Sequence, residues 1–142
     1  MPTSLESLQE AYLVLNRDFD LIKAGEYERM TRFFTADCEI HPIEGWPIAV
    51  YSGHEGYKRF FADTFGEFER VRVQVHEYVE GEGDVIVALT TSSGWSTTLE
   101  TELALSATII HEMRGELILR QRNYADRQRG LEIAGIPDPL GG

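Results

Sequence analysis

The hydrophobic period changes once along this chain, and the change restricts the folds open to it. Leu5, Leu8, Tyr12, Leu15, Phe19 and Ile22 recur at spacings of three and four, which makes one apolar stripe on a helix. From Val71 the period is two, with Val71, Val73 and Val75 alternating with Arg70, Arg72, Gln74 and His76. That is the pattern of a strand. A chain that is helical first and stranded afterwards folds as α+β, with its helices on one face of a curved sheet.

The local signals fill in this frame. Thr3 and Glu6 have capping-box spacing ahead of the first helix, and Gly25 is a natural stop. A second helix is predicted from Glu26 to about Thr35, then a short strand over Cys38–His41 ended by Pro42. Pro42 to Gly53 reads as a loop or short hairpin. Ser52 and Glu55 repeat the capping-box spacing before a third helix with Tyr57, Phe60, Phe61, Thr64 and Phe65 on one face. Strands follow at Val71 onward, Val85–Thr91, a long and bulged Thr98–Met113, and Leu117–Asp126. Turns are expected at Glu80–Asp84, at Ser92–Ser96 and at Arg114–Gly115, with one or two helical turns over Arg127–Ala134. No linker or internal repeat appears, so residues 1–136 read as one domain and 137–142 as a tail.

Charge narrows the partners. Twenty-four acidic residues against thirteen basic ones give a net charge of −11. That is the wrong sign for a phosphate backbone or an anionic membrane surface, so neither nucleic acid nor membrane is an expected partner. No apolar run is long enough for a transmembrane helix, and no secretory leader pattern opens the sequence. The single cysteine, Cys38, cannot pair internally and fits a reducing, cytoplasmic setting. The four histidines, at 41, 54, 76 and 111, have no metal-ligand spacing, and no phosphate loop or dinucleotide fingerprint is present. No metal or cofactor is expected.

Three segments together carry a resemblance. They are Ile22–Pro42 (IKAGEYERMTRFFTADCEIHP), Tyr51–Phe61 (YSGHEGYKRFF) and Met113–Ile136 (MRGELILRQRNYADRQRGLEIAGI). In this order and spacing the chain resembles the nuclear transport factor two-like superfamily. That group includes ketosteroid isomerase, limonene epoxide hydrolase and the SnoaL-like polyketide cyclases. The resemblance implies a cone-shaped α+β barrel with three N-terminal helices, a mostly antiparallel sheet, an apolar pocket at the open end and a homodimer. It also implies a cofactor-independent acid–base enzyme acting on a small apolar molecule by isomerisation, cyclisation or hydration. A non-catalytic ligand-binding or dimeric interaction module on the same fold is the alternative.

The candidate site residues follow from pattern and resemblance together. Tyr124-Ala-Asp126 matches the closing-strand Asp that is the acid/base of SnoaL-like cyclases, so Asp126 is the first catalytic candidate. Asp126 also stands where a helix N-cap would stand, or could pair with Arg122. His41 precedes Pro42 where the isomerase has Asp-Pro, and its imidazole suits a base near neutrality. A loop hydrogen bond is its other reading. Strand parity puts Arg120, Arg122, Tyr124 and Asp126 on one face, so Arg122 and Tyr124 are substrate-side candidates. Tyr12, Trp46 and Tyr51 are candidate pocket walls, the two last also suiting core or dimer packing. Ser106 lies on a polar strand face that suits solvent, a dimer or a pocket. His111, near a turn, is expected at the surface. The isomerase's helix-one Tyr and late-strand Asp have no counterpart here, nor has the Arg of the epoxide hydrolase at Glu100-Thr-Glu102.

Overall fold

The computed structural model describes residues 2–139. The helices are α1 (Ser4–Arg17), α2 (Phe19–Lys23), α3 (Glu28–Thr31), α4 (Gly53–Phe65) and α5 (Arg127–Ala134). The strands are β1 (Phe34–His41), β2 (Tyr51–Ser52), β3 (Phe68–Glu80), β4 (Val85–Ser96), β5 (Thr101–Arg114) and β6 (Leu117–Tyr124). They form one sheet in the order β2-β1-β6-β5-β4-β3, antiparallel except where β1 runs parallel to β6. The sheet stays open at β2 and β3, so the cone is a curved sheet wrapped on helices and not a closed barrel.

Sequence dictates the helix ends. Thr3 accepts from the Glu6 amide while Glu6 accepts from the Thr3 amide, a complete capping box. The predicted long first helix breaks at Asp18, whose buried carboxylate is held by Arg17 at 2.9 Å and Arg29 at 3.1 Å. Arg17 first, then burial opposed by Arg29, sets its pKa, with a net shift below the ordinary carboxylate range. The second box is absent: Ser52 makes no side-chain cap, and Gly53 at φ +70° turns the chain into α4 instead. The predicted second helix shrinks to α3 because β1 begins at Phe34.

Packing explains the remaining departures. β4 does not turn at Ser92–Ser96 but runs on to Ser96, and Glu100, at φ 53°, lies in the connection to β5. Gly94 lies inside the strand because β3 crosses it closely: a Cβ there would stand 3.0 Å from Val71 Cγ2. The inner sheet face and α1 to α4 enclose the main core, including Leu8, Phe19, Ile22, Phe34, Ile40, Phe61 and Ile86. Aromatic rings of α4 stack onto α2, with Phe19 centroids 5.4 Å from Phe61 and 5.6 Å from Phe65. Edge strand β3 is pinned to α1 by Asn16, which donates to Val73 O at 2.8 Å and accepts from Val73 N at 2.7 Å. On the other face, α5 covers Val87, Leu89 and Ile110 with Leu131.

Candidate functional site

The open end of the cone holds a cavity of about 440 Å³ between the helices and the inner sheet face. Its walls are mostly apolar, including Leu8, Ala11, Met30, Phe34, Tyr57 and Phe60. Its mouth is carried by β5, where Leu103 and Leu105 are 40% and 50% exposed. A cavity of this size, apolar with a few polar groups, has the usual build of a small-molecule site.

Two hydrogen-bonded polar stations interrupt the apolar wall, beside the hydroxyl-bearing Tyr57, Thr64, Ser92 and Ser93. The first is Tyr12 on α1 with His111 on β5, both buried. The Tyr12 hydroxyl stands 2.9 Å from His111 Nε2, and His111 Nδ1 stands 3.1 Å from Ile86 O. Burial pushes the His111 pKa down from 6.5 to about 4, so the ring is neutral at pH 7. Burial also pushes the Tyr12 hydroxyl well above its ordinary value. The second station is Gln121 with Asn123 on β6. Asn123 Nδ2 donates to His41 O at 3.0 Å, and Gln121 Nε2 donates to Asn123 Oδ1 at 3.3 Å.

A second cavity of about 360 Å³ adjoins the first. His41, Arg122 and Tyr124 line it, with Glu44 and Ile48 of the loop over 42–50. Pro42, Ile43, Trp46 and Asn123 line both cavities and form the wall between them. Trp46 is fixed in that wall by a relay: its Nε1 donates to Tyr51 Oη at 3.0 Å, and Tyr51 donates to Asp63 Oδ2 at 2.7 Å.

The sequence-predicted residues therefore separate into groups. Tyr12 and Trp46 line the main cavity. His41, Arg122 and Tyr124 meet Trp46 at the second cavity, with His41 Nε2 3.0 Å from Glu39 and Arg122 Nε 3.7 Å from Glu112. Tyr51 is buried behind the wall. Ser106 is exposed on the outer sheet face, 3.4 Å from Thr91, which hydrogen-bonds His76. Asp126 is exposed at the N-terminus of α5, where it accepts from the Arg129 amide at 3.1 Å. It is the N-cap of that helix and lines neither cavity.

His111, expected at the surface, is fully buried in the site. Its neighbours at two-residue spacing, Ile109 and Met113, are core residues, and that alternation was the available signal. Gln121 and Asn123 were missed because the face of Arg122 and Tyr124 was assigned to the cavity, whereas β6 turns the opposite face inward. The strand is regular over 120–124 and irregular only before it. Met113 pairs with Ile118 and Glu112 with Arg120, which leaves Leu119 as an extra residue. The bulge puts Ile118 on the cavity side with Gln121 and Asn123, while Arg120 turns toward Glu39 and Glu112. Among the described residues, no cluster of three or more His, Cys, Asp or Glu could hold a metal ion. No helix among them is long and apolar enough to cross a membrane.

Comparison with known proteins agrees with this geometry. No curated protein matches the chain. Among solved structures, an NTF2-like protein of unknown function from Burkholderia pseudomallei superposes with a TM-score of 0.72 at 14% identity, covering 94% of this chain and 98% of that one. TerC, co-crystallised with polyporic acid, gives 0.66 at 22% identity over 91% and 98%. RV0760c from Mycobacterium tuberculosis, in complex with estradiol-17beta-hemisuccinate, gives 0.68 at 18% identity over 89% and 97%. These likenesses establish the fold. The SnoaL-like domain model matches residues 15–121, from α1 through most of β6, and the chain belongs to the SnoaL-like domain family of nuclear transport factor two-like folds.

Proposed function

We propose that this protein binds a small, flat, mostly apolar organic molecule in the cone cavity. The observation that carries the reading is the cavity itself: about 440 Å³, apolar-walled, open past Leu103 and Leu105, with polar groups at only a few points. Two structures of the same fold carry ring-built molecules, polyporic acid and an estradiol ester, which suits a cavity of this shape. Trp46 lines the cavity and reports on its contents. Titration with bicyclic and steroidal aromatics is expected to give saturable quenching of tryptophan fluorescence. Ala11→Phe fills the cavity from α1 and should abolish that quenching while the fold persists. Absence of saturable binding by every apolar probe would overturn the reading.

Acid–base turnover is the second reading, favoured by the place of His41. Only Pro42, Ile43, Trp46 and Asn123 separate its groove from the main cavity. His41 would be the base, with Arg122 and Tyr124 beside it, and Asp126 the acid. Asp126 as an exposed helix cap weighs toward binding without turnover. Screening ketones, enones and epoxides with the parent protein, His41→Ala and Asp126→Ala separates the two. Turnover lost in either variant, with ligand binding retained, supports the enzyme. A homodimer through the outer sheet face belongs to the same proposal. Its support is the polar row His76, Thr91 and Ser106, which lies outside the patch that α5 covers. Sedimentation equilibrium tests it.

A further inference from the structure

The hydrogen-bond direction at the Tyr12–His111 station follows from one backbone atom. Ile86 O is a carbonyl oxygen and can only accept, so the proton facing it sits on His111 Nδ1. A neutral imidazole has one N–H, which leaves Nε2 as a lone pair. The partner of that lone pair is the Tyr12 hydroxyl at 2.9 Å, and the hydroxyl must therefore donate to it. Tyr12 has a single O–H. Once that proton points at His111, Tyr12 Oη can offer a ligand only its lone pairs.

The second station obeys the same logic. His41 O is also a carbonyl, so Asn123 must turn its amide nitrogen toward it. Asn123 Oδ1 then faces Gln121, which must present its own amide nitrogen. The Gln121 Oε1 that remains has no donor among the described residues. In each station a main-chain carbonyl sets the direction and a side chain relays it. The outermost Tyr12 Oη is left with lone pairs alone, whereas Gln121 keeps one N–H beside its free Oε1.

We infer that the Tyr12 end of the cavity takes a ligand hydroxyl or N–H donor in preference to a ketone or ether oxygen of the same shape. A ligand hydroxyl would donate to Tyr12 Oη and extend the chain Tyr12–His111–Ile86 in one direction. A ketone oxygen in the same place would meet an oxygen lone pair, and both would be buried without a donor. A buried polar group left unpaired is penalised enough for about tenfold discrimination or more. The arrangement is the reverse of an oxyanion hole, which aims donors at a developing negative oxygen.

The inference rests on the proposed ligand-binding role of the cavity, and its test keeps the two apart. The probes are 2-naphthol, 2-methoxynaphthalene and 2-acetylnaphthalene, matched in ring system and differing in hydrogen-bond character. With the parent protein, 2-naphthol is expected to bind about tenfold tighter than either of the others. In His111→Leu the Tyr12 proton is released, and 2-acetylnaphthalene should gain about tenfold relative to 2-naphthol. Equal binding of all three by the parent overturns the donor preference and leaves the ligand-binding role standing. No binding by any of them overturns the ligand-binding role. The direction of the relay has its own readout, independent of any ligand and of whether His111→Leu folds. Nitrogen-15 NMR of the parent protein should show His111 protonated at Nδ1 and bare at Nε2 at neutral pH. A proton on Nε2 overturns the inference.

Discussion

Two side chains show how environment decides what a residue can do. Asp126 stands in a family-like Tyr-x-Asp, yet its carboxylate accepts from the Arg129 amide at the start of α5. Asp126→Ala should therefore lose about 1 kcal/mol of stability, and Asp126→Asn much less, in urea unfolding. The motif was legible, but whether its Asp faced a cavity or capped a helix depended on where β6 ended. His111 is the opposite case, a histidine near a turn that the fold buries. Its folded pKa is about 4 against an ordinary 6.5. Between those values the unfolded chain takes up a proton that the folded chain refuses. Stability from this group is whole above pH 6.5 and falls as the pH drops, by about 3 kcal/mol once below 4. Urea midpoints measured from pH 7 to 4 should fall more steeply for the parent than for His111→Leu. Parallel profiles would mean that the imidazole is not shielded as the structure has it.

At the scale of elements, the strong periodic signals were readable and the interruptions were not. The α1 stripe, its capping box and the alternation of β3 follow from residue spacing. The break at Asp18 does not, because it depends on Arg29 arriving from α3 to hold the carboxylate. The extra Leu119 in β6 is invisible for the same reason, since a bulge is defined by the partner strand. That one residue brings Ile118 onto the cavity face beside Gln121 and Asn123. Helix α5 offers a prediction of its own. Gly130 rests against β5 so closely that a Cβ would stand 2.7 Å from Thr108 Cβ and Cγ2. Alanine would raise intrinsic helix propensity by up to about 1 kcal/mol, but overpacking costs about 1–3 kcal/mol. Gly130→Ala should lower the melting temperature and speed amide exchange in α5, with the cavity's ligand affinity unchanged.

For the whole molecule, the α+β class and helix-first order were legible because the period changes only once. The cavity was not, since its walls come from α1, α3, α4 and five strands that only the folded sheet brings together. A ligand that binds only the folded state should stabilise it by about 2.7 kcal/mol at one hundred times its Kd. A 2-naphthol thermal-shift series checks this, and Ala11→Phe should show no shift. The leucines at the cavity mouth have a colloidal consequence. The chain's isoelectric point is about 4.7, whereas His111 resists protonation down to about 4. On acidification the net charge of −11 that holds copies apart vanishes at the isoelectric point, before the His111 penalty on folding is complete near pH 4. Leu99, Leu103 and Leu105, all exposed on or beside β5, then meet their counterparts on other copies without repulsion. Turbidity should therefore precede loss of structure in an acid titration, and the protein should salt out as folded particles near its isoelectric point.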